Sequence, residues 1–228
     1  MFGLPESTAF DRKIPKQKIY DNAEVHNKLK RYCIDVVQEI IWRNKISAAD
    51  RSSVGTVALE SSDSVKEIEV IEIILSDKKV ERDFLERLDK SIPYHTLFIF
   101  TCDDESQLWM SYKNINNNSD SFSVSLSDYF VSDWIESEDI SLKIKGLSLD
   151  EVYQNWLKEL EPELSSYNAI SDFSKIIEIH SQIKSLNMEK ERLKTKMKKE
   201  IQTNRMFAIK EQIKVINSKI NELRASLN

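Results

Sequence analysis

The sequence predicts an α+β protein: a small mixed β-sheet body with packed helices, followed by a C-terminal helical coiled-coil hairpin. Three observations carry this. Two β-branched runs, "VKEIEVIEIIL" and "HTLFIFTC", flank the amphipathic "KVERDFLERLDKSI", which is a β–α–β alternation. Near the C-terminus apolar residues recur at 3-4 spacing in two successive stripes, the pattern of a coiled coil. The charge is also divided: residues 174–228 hold 13 Lys/Arg against 6 Glu, a net of +7, and the residues before them carry a net of −12. A basic appendage can therefore meet an anion that the acidic body repels.

Taken in order, the first helix is expected from about Asp21 to Gln38, with Val25, Leu29, Tyr32, Cys33, Val36 and Val37 on one face and Asp21 or Asn22 as its cap. "IIWRNKI" reads as a strand and "SAADRSSVGTVALESSDS" as a polar connection. The run "IEVIEIIL" is a strand buried on both faces over part of its length. The helix after it stops before Pro93, "HTLFIFTC" is a second buried strand, and "QLWMSYKNI" pairs antiparallel with that strand. The Asn/Ser run from Asn114 to Ser127 reads as a loop. Within "YFVSDWIESEDISLKIK", Ile140, Leu142 and Ile144 alternate as an edge strand does, and Trp134 between acidic residues is a candidate interface anchor. Ser148 and Glu151 have the spacing of a capping box for a helix ending near Leu160.

The boundary is placed in "EPELSSYNAISD", giving a body over 1–164 and a basic coil over 165–228. In the coil, Ile179, Ile183, Leu186, Leu193 and Met197 form one stripe, and Ile209, Ile213, Ile216, Ile220, Leu223 and Leu227 form the other. The second stripe is rotated by roughly a third of a turn from the first at about 100° per residue. Folding back near Gln202 to Arg205 lets the two meet, so a hairpin is preferred to a kinked rod.

Composition narrows the function. No apolar run approaches the roughly 20 residues needed to cross a bilayer, so no membrane partner is expected. The two cysteines, Cys33 and Cys102, have neither disulfide-framework nor metal-ligand spacing, which fits a reducing cytoplasm. With three glycines in the chain, a phosphate-cradling loop has no material, and no cofactor is expected. Asp63, Glu69 and Glu72 around a central strand suggest, as an alternative, a divergent metal-dependent nuclease; the lysine that would assist the attacking water is missing, since Ile74 stands two residues after Glu72. His26, His95 and His180 are scattered, and no catalytic residue set is assigned.

The basic tail is the functional lead. Lys190, Arg192, Lys194, Lys196, Lys198, Lys199 and Arg205 crowd the second half of the first coil helix and its turn, and Lys210 continues along the return. Cations beside phosphates release condensed counterions and give affinity without reading sequence. The ordinary alternative is that they are solvated coil positions or pair with the acidic body.

"MFGLPESTAFDRKIPKQKIY", "NKIS", "SIPYHTLFIFTCDDESQLWMSYK", "IKGLSLDEVYQNW" and "KKEIQTNRMFAIKEQI", in that order, make the chain resemble the bacterial family called domain of unknown function 4391. The resemblance spans almost the whole chain and brings no activity with it. It implies genes set beside DNA methyltransferases and helicases in restriction or anti-phage defence clusters. The expected role is thus a non-catalytic accessory subunit docking through its coil to a helicase, a methyltransferase or DNA, with oligomerisation through the coil as a further option. The opening then reads as an arm in which Phe2, Leu4 and Ile14 are anchors while Pro5 and Pro15 keep the chain extended.

Overall fold

The computed structural model describes residues 2–17, 27–48, 57–60, 64–118, 121–167 and 172–227. In chain order, a 3-10 turn at Glu6–Thr8 leads into β1 (Ala9–Lys13), then α1 (Asn27–Asp35), β2 (Val37–Ser47), β3 (Glu67–Leu75), α2 (Arg82–Ser91) and β4 (His95–Cys102). There follow β5 (Glu105–Met110), β6 (Lys113–Asn118), β7 (Ser121–Leu126), β8 (Phe130–Val131), β9 (Ile135–Glu136), α3 (Leu149–Leu160), α4 (Phe173–Lys199) and α5 (Thr203–Ala225). The chain divides into two compact units, Met1–Glu161 and Pro162–Asn228.

The first unit is built on a mixed sheet of order β1-β2-β3-β4-β5-β8, with β9 also pairing β5. Only β3 and β4 are parallel, because α2 carries the chain back between them. Both strands are buried on both faces, as a continuous apolar run requires. Ile71 and Ile73 of β3 share a face with Phe98 and Phe100 of β4, and there Leu29, Tyr32 and Cys33 of α1 meet Phe84, Leu85 and Leu88 of α2. Burying each such side chain contributes about 1.5–3 kcal/mol. The opposite face, with Ile68, Val70, Leu97 and Ile99, is equally dry, and α3 lies against β3 with Val152, Tyr153, Trp156 and Leu157 buried.

Several boundaries differ from the sequence reading. The first helix ends at Asp35, and Gln38 belongs to β2, because Val37 pairs with Leu75 and the sheet competes successfully for the segment. Its expected start at Asp21 or Asn22, with Val25 and His26, lies outside the described residues, as do 49–56 of the polar connection. The Asn/Ser run is a β-hairpin, not a loop: β6 and β7 pair in register from Lys113↔Leu126 to Asn118↔Ser121 and form a separate two-stranded sheet. Conversely, 140–147 forms no strand. Ile140 and Leu142 are buried, but Leu142 N donates to Phe2 O (2.8 Å), so the segment is occupied by the N-terminal arm instead of a sheet edge.

The arm is ordered. Phe2 and Leu4 are buried, Gly3 sits at φ +74° where an added Cβ would lie 3.0 Å from Ser141 Oγ, and Ile14 N bonds Ile40 O (2.8 Å). It is more structured than a purely extended arm, since Ala9–Lys13 pairs antiparallel with β2. The α3 cap forms as a near-capping box: Ser148 Oγ accepts from Glu151 N (3.3 Å), while Glu151 Oε2 accepts from Leu147 N (2.7 Å).

The second unit begins with a 3-10 turn at Pro162–Ser166. Asp172 caps α4 by accepting from Ser174 N (3.0 Å). The helices α4 and α5 pack against one another as a hairpin whose turn is Glu200–Gln202, slightly earlier than the Gln202 to Arg205 expected.

Candidate nucleic-acid interface

The hairpin follows from its two stripes. Ile179 and Ile183 of α4 and Ile209, Ile216 and Ile220 of α5 are buried, and Leu193, Met197, Met206 and Ile213 are half-buried between the helices. A turn without Gly or Pro is possible because Glu200 supplies the cap: its Oε1 accepts from Ile201 N (3.1 Å) and Gln202 N (3.0 Å), pairing two amides that the start of α5 would otherwise leave open. These amide bonds and the nearby Arg205 and Lys196 hold the Glu200 carboxyl below its ordinary range.

With the seam fixed, helical periodicity distributes the cations around the rest of the surface. Arg192, Lys196, Lys198, Lys199, Arg205 and Lys210 are exposed, and Lys190 and Lys194 are half-buried. Lys194 is bonded to Glu191 (2.7 Å), which lowers the Glu191 carboxyl, first through that bond and then through Lys190 and Lys198. Among the described residues, no carboxylate comes within ion-pair distance of Arg192, Lys196, Lys198, Lys199, Arg205 or Lys210. Of the residues named from the sequence, six therefore stand exposed without a carboxylate partner among the described residues, while Lys194 is paired with Glu191.

The carboxylates of the nuclease alternative are differently placed. Asp63 lies outside the described residues. Glu69 and Glu72 are three positions apart on β3, an odd offset that puts them on opposite faces. Glu72 is fully engaged: Oε2 accepts from Arg43 Nε (2.6 Å) and Oε1 from Thr101 Oγ1 (2.8 Å). Glu69 is buried with no hydrogen bond to either oxygen among the described residues, and burial followed by the adjacent Glu67 raises it to about 9, so it is uncharged near neutrality.

Glu72 belongs to a polar row that sequence reading missed. A register slip at Trp42/Asn44 turns Arg43 toward Glu72 and Asp11, the latter at 3.1 Å. From Glu72 the row passes through Thr101 Oγ1 to Ser106 Oγ (2.9 Å) and Ser137 Oγ (2.7 Å), so one chain of hydrogen bonds links β1, β2, β3, β4 and β5 to the turn after β9. Beside its Asp11 end, Leu4, Glu6, Arg43 and Asn44 line a cavity of about 410 Å³.

A second cluster was equally silent in the sequence. Lys113 Nζ is ion-paired with Asp89 Oδ1 (2.6 Å) and donates to Asp89 O (2.9 Å), Ile92 O (3.1 Å), Tyr94 O (2.5 Å) and Thr96 Oγ1 (3.1 Å). Asp89 Oδ2 accepts from Ser111 Oγ and Tyr129 OH, both at 2.8 Å. His95 stands nearby, edge-on to Tyr153 and Tyr112, with neither ring nitrogen hydrogen-bonded among the described residues. Burial, then the Lys113 charge, lowers it to about 3, so the ring is neutral near neutral pH. Cys33 is likewise inert, pushed up to about 11 by burial.

These features define a class: a mixed α+β body joined to a helical hairpin that carries exposed cations. The family described as Domain of unknown function (DUF4391) matches residues 2–220, and the chain belongs to that family. No curated protein and no solved structure matches the chain. Among the described residues no helix is long and apolar enough to cross a membrane.

Proposed function

We propose that this chain is a non-catalytic accessory subunit of a bacterial DNA restriction or anti-phage defence assembly, acting in the cytoplasm and gripping nucleic acid through the distal half of its hairpin. The observation that carries the reading is the group of exposed cations, Arg192, Lys196, Lys198, Lys199, Arg205 and Lys210, without carboxylate partners among the described residues. Such cations are solvated until they meet a polyanion, and phosphate contacts then release counterions whatever the base sequence. The family resemblance supplies the setting, in which a helicase or methyltransferase would read or act on the same DNA. The body's carboxylates support it indirectly, since Glu72 is committed to Arg43 and Thr101 and Glu69 is neutral.

The test is titration of the full chain with duplex DNA at several salt concentrations, beside a variant carrying Lys194→Glu, Lys196→Glu, Lys198→Glu and Lys199→Glu. Helix content is expected to persist, because Lys and Glu have similar helix propensities. Affinity is expected to fall, and the slope of log affinity against log salt to flatten by about 0.9 for each phosphate that the variant no longer neutralises. A wild-type chain with no salt-sensitive binding would rule out DNA as the ligand.

A further inference from the structure

Phe207 stands in the second turn of α5 and is 61% exposed, although the packing of the hairpin gives it no reason to be apolar. Its direction follows from the seam. Ile209, Ile216 and Ile220 aim α5 at α4, and Ile183, Leu193 and Met197 aim α4 at α5. At about 100° per residue, Lys210, Lys214 and Phe207 lie roughly 90–150° round α5 from its seam. In the same rotational sense, Lys194 and Lys198 lie roughly 60–100° round α4 from its own seam. Helices that face one another antiparallel bring flanks of the same sense to the same side. One side of the hairpin therefore gathers Lys194, Lys198, Phe207, Lys210 and Lys214, while Lys196, Arg205 and Lys219 fall on the other.

Lys198 and Lys210 are exposed, and no carboxylate comes within ion-pair distance of either among the described residues. Lys194 is paired with Glu191 at 2.7 Å, and Lys214 reaches Glu211 only at 4.0 Å. Met188 and Val215 are exposed as well, but the same angular count turns both away from this side. Phe207 is thus one aromatic ring set among lysines, with too little apolar surface around it to make a protein-docking patch. An exposed ring in a cationic lining has another use, because every nucleic-acid base has a flat face that can stack on it.

We infer that this side of the hairpin binds single-stranded DNA in preference to duplex, with Phe207 stacking on one unpaired base and the four lysines meeting the phosphates on either side of it. The inference rests on the nucleic-acid reading of the hairpin and names the form of nucleic acid. Lysines meet the phosphates of a duplex and of a single strand alike, so they do not choose between the two. Phe207 does. Inside a duplex the base faces are covered by their neighbours and offer the ring nothing, whereas a single strand turns a free face to it.

The experiment titrates the full chain with a mixed-sequence DNA single strand, and with the duplex made by annealing its complement, each at several salt concentrations. Wild type is expected to bind the single strand more tightly. Phe207→Ala is expected to weaken single-strand binding by about fivefold or more, the lower end for one stacked base, and to leave duplex binding unchanged. The slope of log affinity against log salt stays as in wild type, because no ion contact is removed. Phe207→Trp is expected to retain the preference and Phe207→Leu to lose it, which separates stacking from simple apolar contact. Replacing Lys198→Gln and Lys210→Gln is expected to flatten the single-strand slope by about 0.7 for each phosphate no longer neutralised. Circular dichroism checks that each variant keeps its helices, and Phe207→Leu carries the test should the alanine variant unfold.

A wild type that binds duplex as tightly as single strand would overturn the inference. So would single-strand binding that Phe207→Ala leaves unchanged, or a loss equal on both forms. In each of these cases salt-sensitive duplex binding persists and the nucleic-acid reading stands without the preference. Binding of neither form would remove that reading and this inference together.

Discussion

Lys113 and Asp89 are ion-paired at 2.6 Å with neither side chain exposed to solvent. The ammonium also takes the carbonyls of Asp89, Ile92 and Tyr94, so one side chain from β6 closes the C-terminal end of α2 and holds the entry to β4. A cation at a helix C-terminus is favoured by the helix dipole, and here it also meets carbonyls that would otherwise be dry and unpaired.

Replacing Lys113→Met leaves Asp89 buried without its counter-charge. The expected cost is about 3–5 kcal/mol, the range for breaking a buried pair from one side. Chemical denaturation measures it as a drop in midpoint at unchanged slope. A loss below about 1 kcal/mol would mean that Tyr129 and Ser111 suffice to hold the carboxylate.

His95 makes the fold acid-sensitive. Its folded-state value of about 3 lies below the ordinary 6.5, so between those limits the unfolded chain binds the extra proton and stability falls as pH is lowered. The full span corresponds to about 5 kcal/mol. In His95→Phe this contribution is absent, and the stability difference between variant and wild type is expected to widen in the variant's favour from pH 6.5 downward. Parallel pH profiles would refute the assignment.

Glu69 acts in the opposite direction. Its value is raised from 4.5 to about 9, so the folded chain holds a proton that the unfolded chain releases, and stability is lost as pH climbs through that window. Glu69→Gln removes the ionisation. The variant is expected to gain roughly 3 kcal/mol on wild type at pH 7 and little at pH 4, measured by denaturation at both values.

A chain ending at Glu161 is expected to fold cooperatively, because the first unit buries its sheet against its own helices. Calorimetry of the shortened chain gives the reading. Loss of a single sharp transition would show that the hairpin belongs to the same folding unit.

The elements that sequence revealed were those in which local composition and burial agree. The strands β3 and β4 are rich in β-branched and aromatic residues, and both are buried on both faces. The hairpin helices show their seam in Ile183, Leu193, Ile209 and Ile216 because neighbours three and four apart share a face. The β6–β7 hairpin hid behind Asn and Ser, residues that favour turns locally, while its pairing is cross-strand and has no local signature. The Lys113 cluster was invisible for a related reason. Asp89, Thr96, Ser111 and Tyr129 are spread over 41 positions, and each is ordinary where it stands in the sequence. Only the topology gathers them.

The arm's seat sets a timetable for biosynthesis. Phe2 O receives its hydrogen bond from Leu142 N, and Gly3 lies against Ser141, so two ends of the first unit meet across 140 positions of chain. At about 5–20 residues per second, Leu142 leaves the ribosome on the order of ten seconds after Phe2. Throughout that interval Phe2 and Leu4 are apolar residues without their final neighbours, available to chaperones and to other nascent chains. Late codons, rather than early ones, therefore decide when this arm is safely housed.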